Sequence, residues 1–308
     1  MIKIAIAGIG GVGGYFGGSL ARYYENSKEV EIYFIARGEN ERAIQKNGLR
    51  LETSKGNFIA HPKLVTSYPQ QIGVVDILIC STKSYDLEQS IVQSKPCIEK
   101  DTVILPLYNG VDSSERIRAM LPGNEVWEGC VYLVSHLSEP GLIKETGNVA
   151  SVLFGYEKGT PDKLKNMDTI LKDAGINATL SVNILQTIWR KFIFISPIAT
   201  LTSYLDVGFG GILSNDDHEK ILLLLLHEIK SLADAKGISF QEDIIQKTVD
   251  AMIALPKDTT TSMHRDFQKG GKNELDSLTG YVVRQGKQFN IAMPTYEMIY
   301  NKLKERVS

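Results

Sequence analysis

The chain has 308 residues, 43% of them hydrophobic and 23% charged, with a formal net charge of -2 at pH 7. That length exceeds what one hydrophobic core usually fills, so two domains are expected. The near-neutral balance offers no field for nucleic acid or an anionic membrane, and Cys80, Cys97 and Cys130 are too few for a disulfide framework.

Residues 3–7 (KIAIA) read as a buried strand, residues 8–13 as a glycine turn and residues 12–24 as a helix. In a dinucleotide-binding turn, Gly8 allows the tight exit from the strand, Gly10 admits a pyrophosphate, and Gly13 lets the helix pack closely on the sheet. Ile9, Gly11 and Val12 complete the loop, and the helix start presents N–H groups to the phosphates. Gly14, Gly17 and Gly18 fit close helix packing rather than phosphate contact. No targeting segment is expected ahead of this strand, so a cytoplasmic protein is expected.

A second strand, residues 31–36, ends at Arg37-Gly38, where an acid would bind the ribose 2′-hydroxyl of NAD and an arginine pairs with the 2′-phosphate of NADP. Arg37 therefore points to NADP, with Glu39 and Glu41 close by as a counter-indication. A short helix follows at 41–47, then a hairpin over 49–59 turned at 54–57. The buried strand 76–80 delivers Lys83 to the crevice where parallel sheets bind ligands, so Lys83 is a cofactor contact or a surface lysine. Strand 101–107 delivers Asn109 to the same edge, to bond cofactor and substrate or to turn the chain before a helix at Ser113. Strands at 126–135, 141–145 and 151–155 have hairpin spacing and are expected to add an antiparallel edge to the sheet.

The pattern then turns helical, so the expected domains are 1–165, Rossmann-like and dinucleotide-binding, and 166–308, all-α. Helices are expected at 162–174, 183–204 (with Pro197 expected to kink it), 217–236, 241–254, 276–288 and 294–305, with a short extended link at 177–181. The run 221–226 is too short for a membrane span and reads as a fully buried helix segment. Lys191 stands inside an apolar helix, where a lysine either snorkels or is held for chemistry. On spacing alone Ser262 caps a helix, Glu274 and Asp276 form a capping pair, and His264 lies on the surface.

Together these pieces resemble the ketopantoate reductase family of the 6-phosphogluconate-dehydrogenase-like group. The matching pieces are GIGGVGG from Gly8, IARG from Ile35, STKSYD from Ser81, YNG from Tyr108, WRK from Trp189, SMHRD from Ser262, NELD from Asn273 and the tail MPTYEMIYNKLK. The resemblance implies NADPH-dependent reduction of a 2-oxo acid, 2-dehydropantoate in pantothenate synthesis. It implies Gly8, Gly10 and Gly13 on the pyrophosphate, Arg37 on the 2′-phosphate, Lys83 and Asn109 at the cleft edge, and Lys191 as general acid. It also implies Glu274 orienting substrate and lysine, Ser262 on the substrate carboxylate, Asn109 and Lys191 in substrate contact, and no metal. The departure is at Ile195 and Ala199, where typical members carry asparagines four and eight residues after the lysine. Those apolar residues motivate an alternative, a paralogue acting on a more apolar keto acid or ketone. A non-catalytic NADP-binding sensor is the reading outside enzyme chemistry. The apolar helices of the second half fit either a homodimer or packing among themselves.

Overall fold

The computed structural model describes residues 1–306, the side chain of Asn148 excepted. The chain divides into two compact units, Met1–Tyr108 with Ser113–Ile184, and Asn109–Asp112 with Leu185–Ser308.

The first unit holds strands β1 (Ile2–Ala7), β2 (Val30–Ile35), β3 (Leu49–Thr53), β4 (Gly56–Ala60) and β5 (Leu64–Thr66). It continues with β6 (Ile77–Cys80), β7 (Val103–Pro106), β8 (Glu128–Glu139), β9 (Leu142–Gly155) and β10 (Ala178–Leu180). Its helices are α1 (Gly11–Tyr23), α2 (Gly38–Asn47), α3 (Leu87–Ser94), α4 (Ser113–Met120) and α5 (Asp162–Asp173). One sheet runs in the order β5-β2-β1-β6-β7, and every neighbouring pair is parallel. Its central strands are apolar runs such as IAIA and ILIC, as expected where helices cover both faces. The strand order reverses at β1, so the crevice beyond the carboxyl ends of β1 and β6 is where such a sheet binds a ligand.

The hairpin-spaced strands do not extend that sheet. β8 and β9 form a long antiparallel hairpin, and β9 also pairs in parallel with β3 and β10, making a second sheet with β4 at its edge. The reason lies in α1, which is covered on two faces. A Cβ at Gly13 would lie 2.1 Å from the Gly8 carbonyl oxygen, and one at Gly17 would lie 3.1 Å from Phe34 of β2. On the other side, a Cβ at Gly14 would meet Ile143 of β9 at 2.5 Å, and one at Gly18 would meet Leu51 of β3 at 2.6 Å. Spacings of four residues share a helix face, so two glycine faces let one helix lie between two sheets.

The expected boundary at 165 also moves. Leu164, Met167, Ile170 and Leu171 of α5 pack in the same core as Ile4, Ile6 and Phe34, which keeps α5 and β10 in the first unit as far as Ile184.

The second unit is helical: α6 (Ile184–Leu205), α7 (Phe209–Leu213), α8 (Asp216–Ala235), α9 (Ile244–Ile253), α10 (Ser262–Gln268), α11 (Tyr281–Gln288) and α12 (Pro294–Glu305). A π-helical turn, Asp276–Gly280, leads into α11. α6 runs unbroken through Pro197. α8 is amphipathic rather than wholly buried, since Leu222, Leu225 and Leu226 are inaccessible while Leu224 is 53% exposed. No helix among the described residues is long and apolar enough to cross a membrane.

Candidate functional site

In the first unit the glycine loop leaves β1 beside the residues that leave β6. Gly8 has φ +95°, and a Cβ there would lie 2.8 Å from the Thr82 backbone nitrogen, so both conformation and space require glycine. Ser81 donates from Oγ to the carbonyls of Ala7 (3.2 Å) and Gly8 (3.0 Å), tying the two strand ends together. Gly10 is the N-cap of α1 with no side-chain capping bond, and nothing lies within 4 Å of where its Cβ would be. Open space above uncapped N–H groups at a helix start is what a pyrophosphate needs. Asn40 holds the loop in place: its Nδ2 donates to the Ile9 carbonyl (2.9 Å) while its Oδ1 accepts from the Gly141 N–H at the β8–β9 turn (2.8 Å). Asn40 carries no motif, and its role is set by a partner about a hundred residues away in sequence.

A cavity of about 250 Å³ opens beside this loop, lined by Gly8, Gly10, Arg37, Thr82, Lys83 and Asp86 among others. Arg37 caps the start of α2 with its side chain 66% exposed, and Lys83 is half-buried at the cavity wall. The acid beside Arg37 is Asp86, 3.7 Å away, rather than Glu39 or Glu41. Glu41 faces β5, accepting from the Ser67 N–H (2.9 Å) and hydroxyl (3.2 Å). The residues present fit a dinucleotide: a glycine turn, an uncapped helix start and two cations at the pocket.

In the second unit three of the expected residues meet. Asn109 follows β7 and is turned by Gly110, which has φ +100°. Lys191 Nζ on α6 donates to Asn109 Oδ1 at 3.0 Å, and Asn109 Nδ2 donates to Glu274 Oε2 at 3.3 Å. This amide orientation satisfies an ammonium at one end and a carboxylate at the other. Glu274 is 3% exposed and is not a capping residue. Asn273 takes the capping role instead, its Oδ1 accepting from the Leu275 N–H at 3.1 Å, while Asp276 stays exposed and accepts from the Tyr300 hydroxyl (2.5 Å). The turn of α6 before Lys191 is anchored by Trp189, which packs edge-on against Phe192 with ring centroids 5.5 Å apart; both rings also meet Tyr281.

Two readings near α10 are corrected. Ser262 is the first residue of α10 rather than its cap, and Thr261 Oγ1 accepts from the His264 N–H at 3.2 Å. His264 is buried, not on the surface: its Nε2 lies 2.7 Å from Asp206 Oδ1 and its Nδ1 contacts the Thr260 hydroxyl. The hydrogen bonds from His264 and Gln268 hold the Asp206 carboxyl below the usual carboxylate range. On α6, Ile195 is half-buried and Ala199 is fully buried.

Two family models match the chain, "Ketopantoate reductase PanE/ApbA" over residues 4–159 and "Ketopantoate reductase PanE/ApbA C terminal" over residues 183–307. Among curated proteins, an "Uncharacterized oxidoreductase YkpB" of Bacillus subtilis (strain 168) is 27% identical over 98% of both chains. Among solved structures, 2-dehydropantoate 2-reductase from Porphyromonas gingivalis W83 is 36% identical, covering 98% of this chain and 99% of its own, with a TM-score of 0.87. A ternary structure of D-mandelate dehydrogenase with NADH and anilino(oxo)acetate is 25% identical over 99% of this chain and 98% of its own, with a TM-score of 0.86.

Proposed function

We propose that this chain, which belongs to the ketopantoate reductase family, reduces 2-dehydropantoate to pantoate with NADPH, with Lys191 as the general acid. The observation that carries the reading is the hydrogen-bonded chain Lys191–Asn109–Glu274. A 2-oxo acid that accepts hydride at its carbonyl carbon builds negative charge on the carbonyl oxygen. An ammonium within hydrogen-bond reach of that oxygen stabilises the charge and then supplies the proton.

The nicotinamide cofactor supplies the hydride. This chain's own residues bind, orient and protonate. The loop Gly8-Ile9-Gly10-Gly11-Val12-Gly13 and the start of α1 receive the pyrophosphate, Arg37 receives the 2′-phosphate, and Lys83 contacts the cofactor at the cleft edge. Asn109 aims the Lys191 ammonium, the buried Glu274 holds Asn109 in turn and orients the substrate, and Ser262 binds the substrate carboxylate. The 2-dehydropantoate 2-reductase name of the Porphyromonas gingivalis protein supports the substrate, and the setting we propose for it is pantothenate synthesis in the cytoplasm.

Steady-state oxidation of NADPH with 2-dehydropantoate, set against a panel of branched and aromatic 2-oxo acids, tests the reading. 2-Dehydropantoate is expected to give the highest kcat/KM. A second reading, a reductase of a more apolar keto acid, is favoured by Ile195, half-buried one turn beyond Lys191, and by the aromatic oxo acid amide, anilino(oxo)acetate, named with the D-mandelate dehydrogenase structure. Turnover of an aromatic 2-oxo acid with none of 2-dehydropantoate would establish that reading in place of the first.

A further inference from the structure

Beyond Lys191, α6 carries three hydroxyl residues that face protein rather than solvent: Ser196, Thr200 and Thr202 are all fully inaccessible. Burying a hydroxyl is costly unless it is paired, and each of these is paired across to another element. Ser196 Oγ donates to the Leu278 carbonyl at 2.8 Å and lies 2.8 Å from the Tyr296 hydroxyl. A serine has one proton to give, and a carbonyl only accepts, so the Tyr296 hydroxyl is the donor in the second bond. Burial raises the Tyr296 phenol well above its ordinary range, which keeps that proton in place. Thr200 Oγ1 meets Thr279 Oγ1 at 2.7 Å, and Thr202 Oγ1 meets Thr261 Oγ1 at 3.1 Å.

The partners share a pattern. Leu278 and Thr279 lie in the π-helical turn Asp276–Gly280, which begins two residues after Glu274, and Thr261 is the cap immediately before Ser262. A π-turn is a local widening that must be held by its surroundings, and such turns recur at functional sites. We infer that Ser196, Thr200 and Thr202 are positioning residues, a ladder of buried hydroxyls on the Lys191 helix that sets where the Glu274 and Ser262 segments stand relative to the Lys191 ammonium. The inference rests on the proposed role of Lys191 and extends it to residues that touch neither substrate nor cofactor. It also explains why Ser196 and Thr200 do not replace the asparagines lost at Ile195 and Ala199: both hydroxyls are already committed inside the unit.

The decisive variant is Thr200→Val, which keeps the shape and removes the hydroxyl, with Thr200→Ser restoring the hydroxyl without the methyl. The readout independent of turnover is the pH dependence of acylation of Lys191 by an amine reagent, followed by peptide mass spectrometry with Lys163 as internal control. Thr200→Val is expected to lower the Lys191 midpoint by about half a pH unit or more, as the carboxylate at the far end of the Asn109 bridge drifts away. Thr200→Ser is expected to return it, and the Lys163 midpoint should not move. In turnover, Thr200→Val should lose roughly tenfold in kcat with the KM for NADPH unchanged. Ser196→Ala should follow the same pattern, and if it fails to fold, Thr200→Val decides. A folded Thr200→Val protein with the wild-type Lys191 profile overturns the ladder whatever Lys191→Ala does. A wild-type rate in Lys191→Ala overturns the reductase reading whatever the profiles do.

Discussion

The two units build their candidate sites from different materials. In the first, the groups offered to a ligand are main-chain N–H groups of a glycine turn, made available by what is missing: no Cβ at Gly8, Gly10 or Gly13 and no side-chain cap on α1. In the second, the groups are side chains linked to one another, with Lys191, on a helix braced by buried hydroxyls, joined to Asn109 and through it to Glu274. A site made of absences is damaged by adding atoms, whereas a site made of hydrogen bonds is damaged by removing them. Substitutions should therefore fail in opposite directions in the two halves.

The largest effect is expected in the second half. Lys191→Ala should lower kcat roughly 10²-fold or more, the usual scale for losing a general acid, with little change in NADPH binding measured by fluorescence titration. A near-wild-type kcat would remove Lys191 from that role. In the first half the expected loss comes from gaining a methyl. Gly13→Ala places a Cβ 2.1 Å from the Gly8 carbonyl oxygen and should lower stability by about 2 kcal/mol in denaturant unfolding. Gly10→Ala has open space and an ordinary negative φ, so it should unfold like wild type while binding NADPH several-fold more weakly. If both variants behaved alike, the separate roles assigned to the two glycines would be wrong.

Glu128 gives a pH signature belonging to the first unit alone. Its side chain is 1% exposed, and burial pushes its carboxyl up to about 7 against the opposing pull of its Arg118 partner. The folded protein therefore holds this proton more tightly than the unfolded chain. The contribution to stability is complete below the unfolded value near 4.5, falls as pH rises toward about 7, and is level above it. Glu128→Gln has no proton to lose, so it should match wild type at acid pH and be more stable above neutrality by on the order of 2 kcal/mol. Thermal unfolding across pH 4–8 checks this, and parallel curves for the two proteins would show that Glu128 is charged in the fold.

Smaller effects concern the cofactor pocket. Arg37→Ala should raise the KM for NADPH roughly tenfold with little effect on NADH, since a charge-assisted pair with the 2′-phosphate is lost. Asp86 stands 3.7 Å from that arginine, where it would compete with the 2′-phosphate of the proposed cofactor. Asp86→Asn should shift the NADPH-to-NADH ratio of kcat/KM upward by about two- to threefold, the scale of an exposed ion pair. An unchanged ratio would show that Asp86 does not compete for Arg37, and a rise that came only from a lower kcat/KM with NADH would assign Asp86 to the ribose instead.

The same contrast explains what was legible in the sequence. The glycine turn is contiguous and each glycine has a local reason, so the strand, turn and helix could be read in order. The second sheet could not, because β9 finds β3 only after some ninety residues of chain, although Gly14 and Gly18 already signalled a surface close to α1. Lys191 stood out as a charge in an apolar helix, yet nothing local brings Asn109 and Glu274 to it from 82 and 83 residues away. Spacing misplaced Ser262 and His264 for a related reason. Thr261, one residue earlier, takes the cap, and the burial of His264 depends on Asp206, 58 residues upstream. Asp86 was hidden likewise, since Glu39 and Glu41 are nearer Arg37 in sequence, while the carboxylate that meets its guanidinium comes from beyond β6.

Residues 109–112 are flanked on both sides by first-unit chain and yet belong to the helical unit. The polypeptide therefore passes between units three times, after Tyr108, after Asp112 and after Ile184. A gene cut once at Leu185 would encode a fragment holding Lys191 and Glu274 without the amide that joins them. Modular exchange of this half between relatives, by recombination or in the laboratory, has to move a four-residue island along with the C-terminal segment.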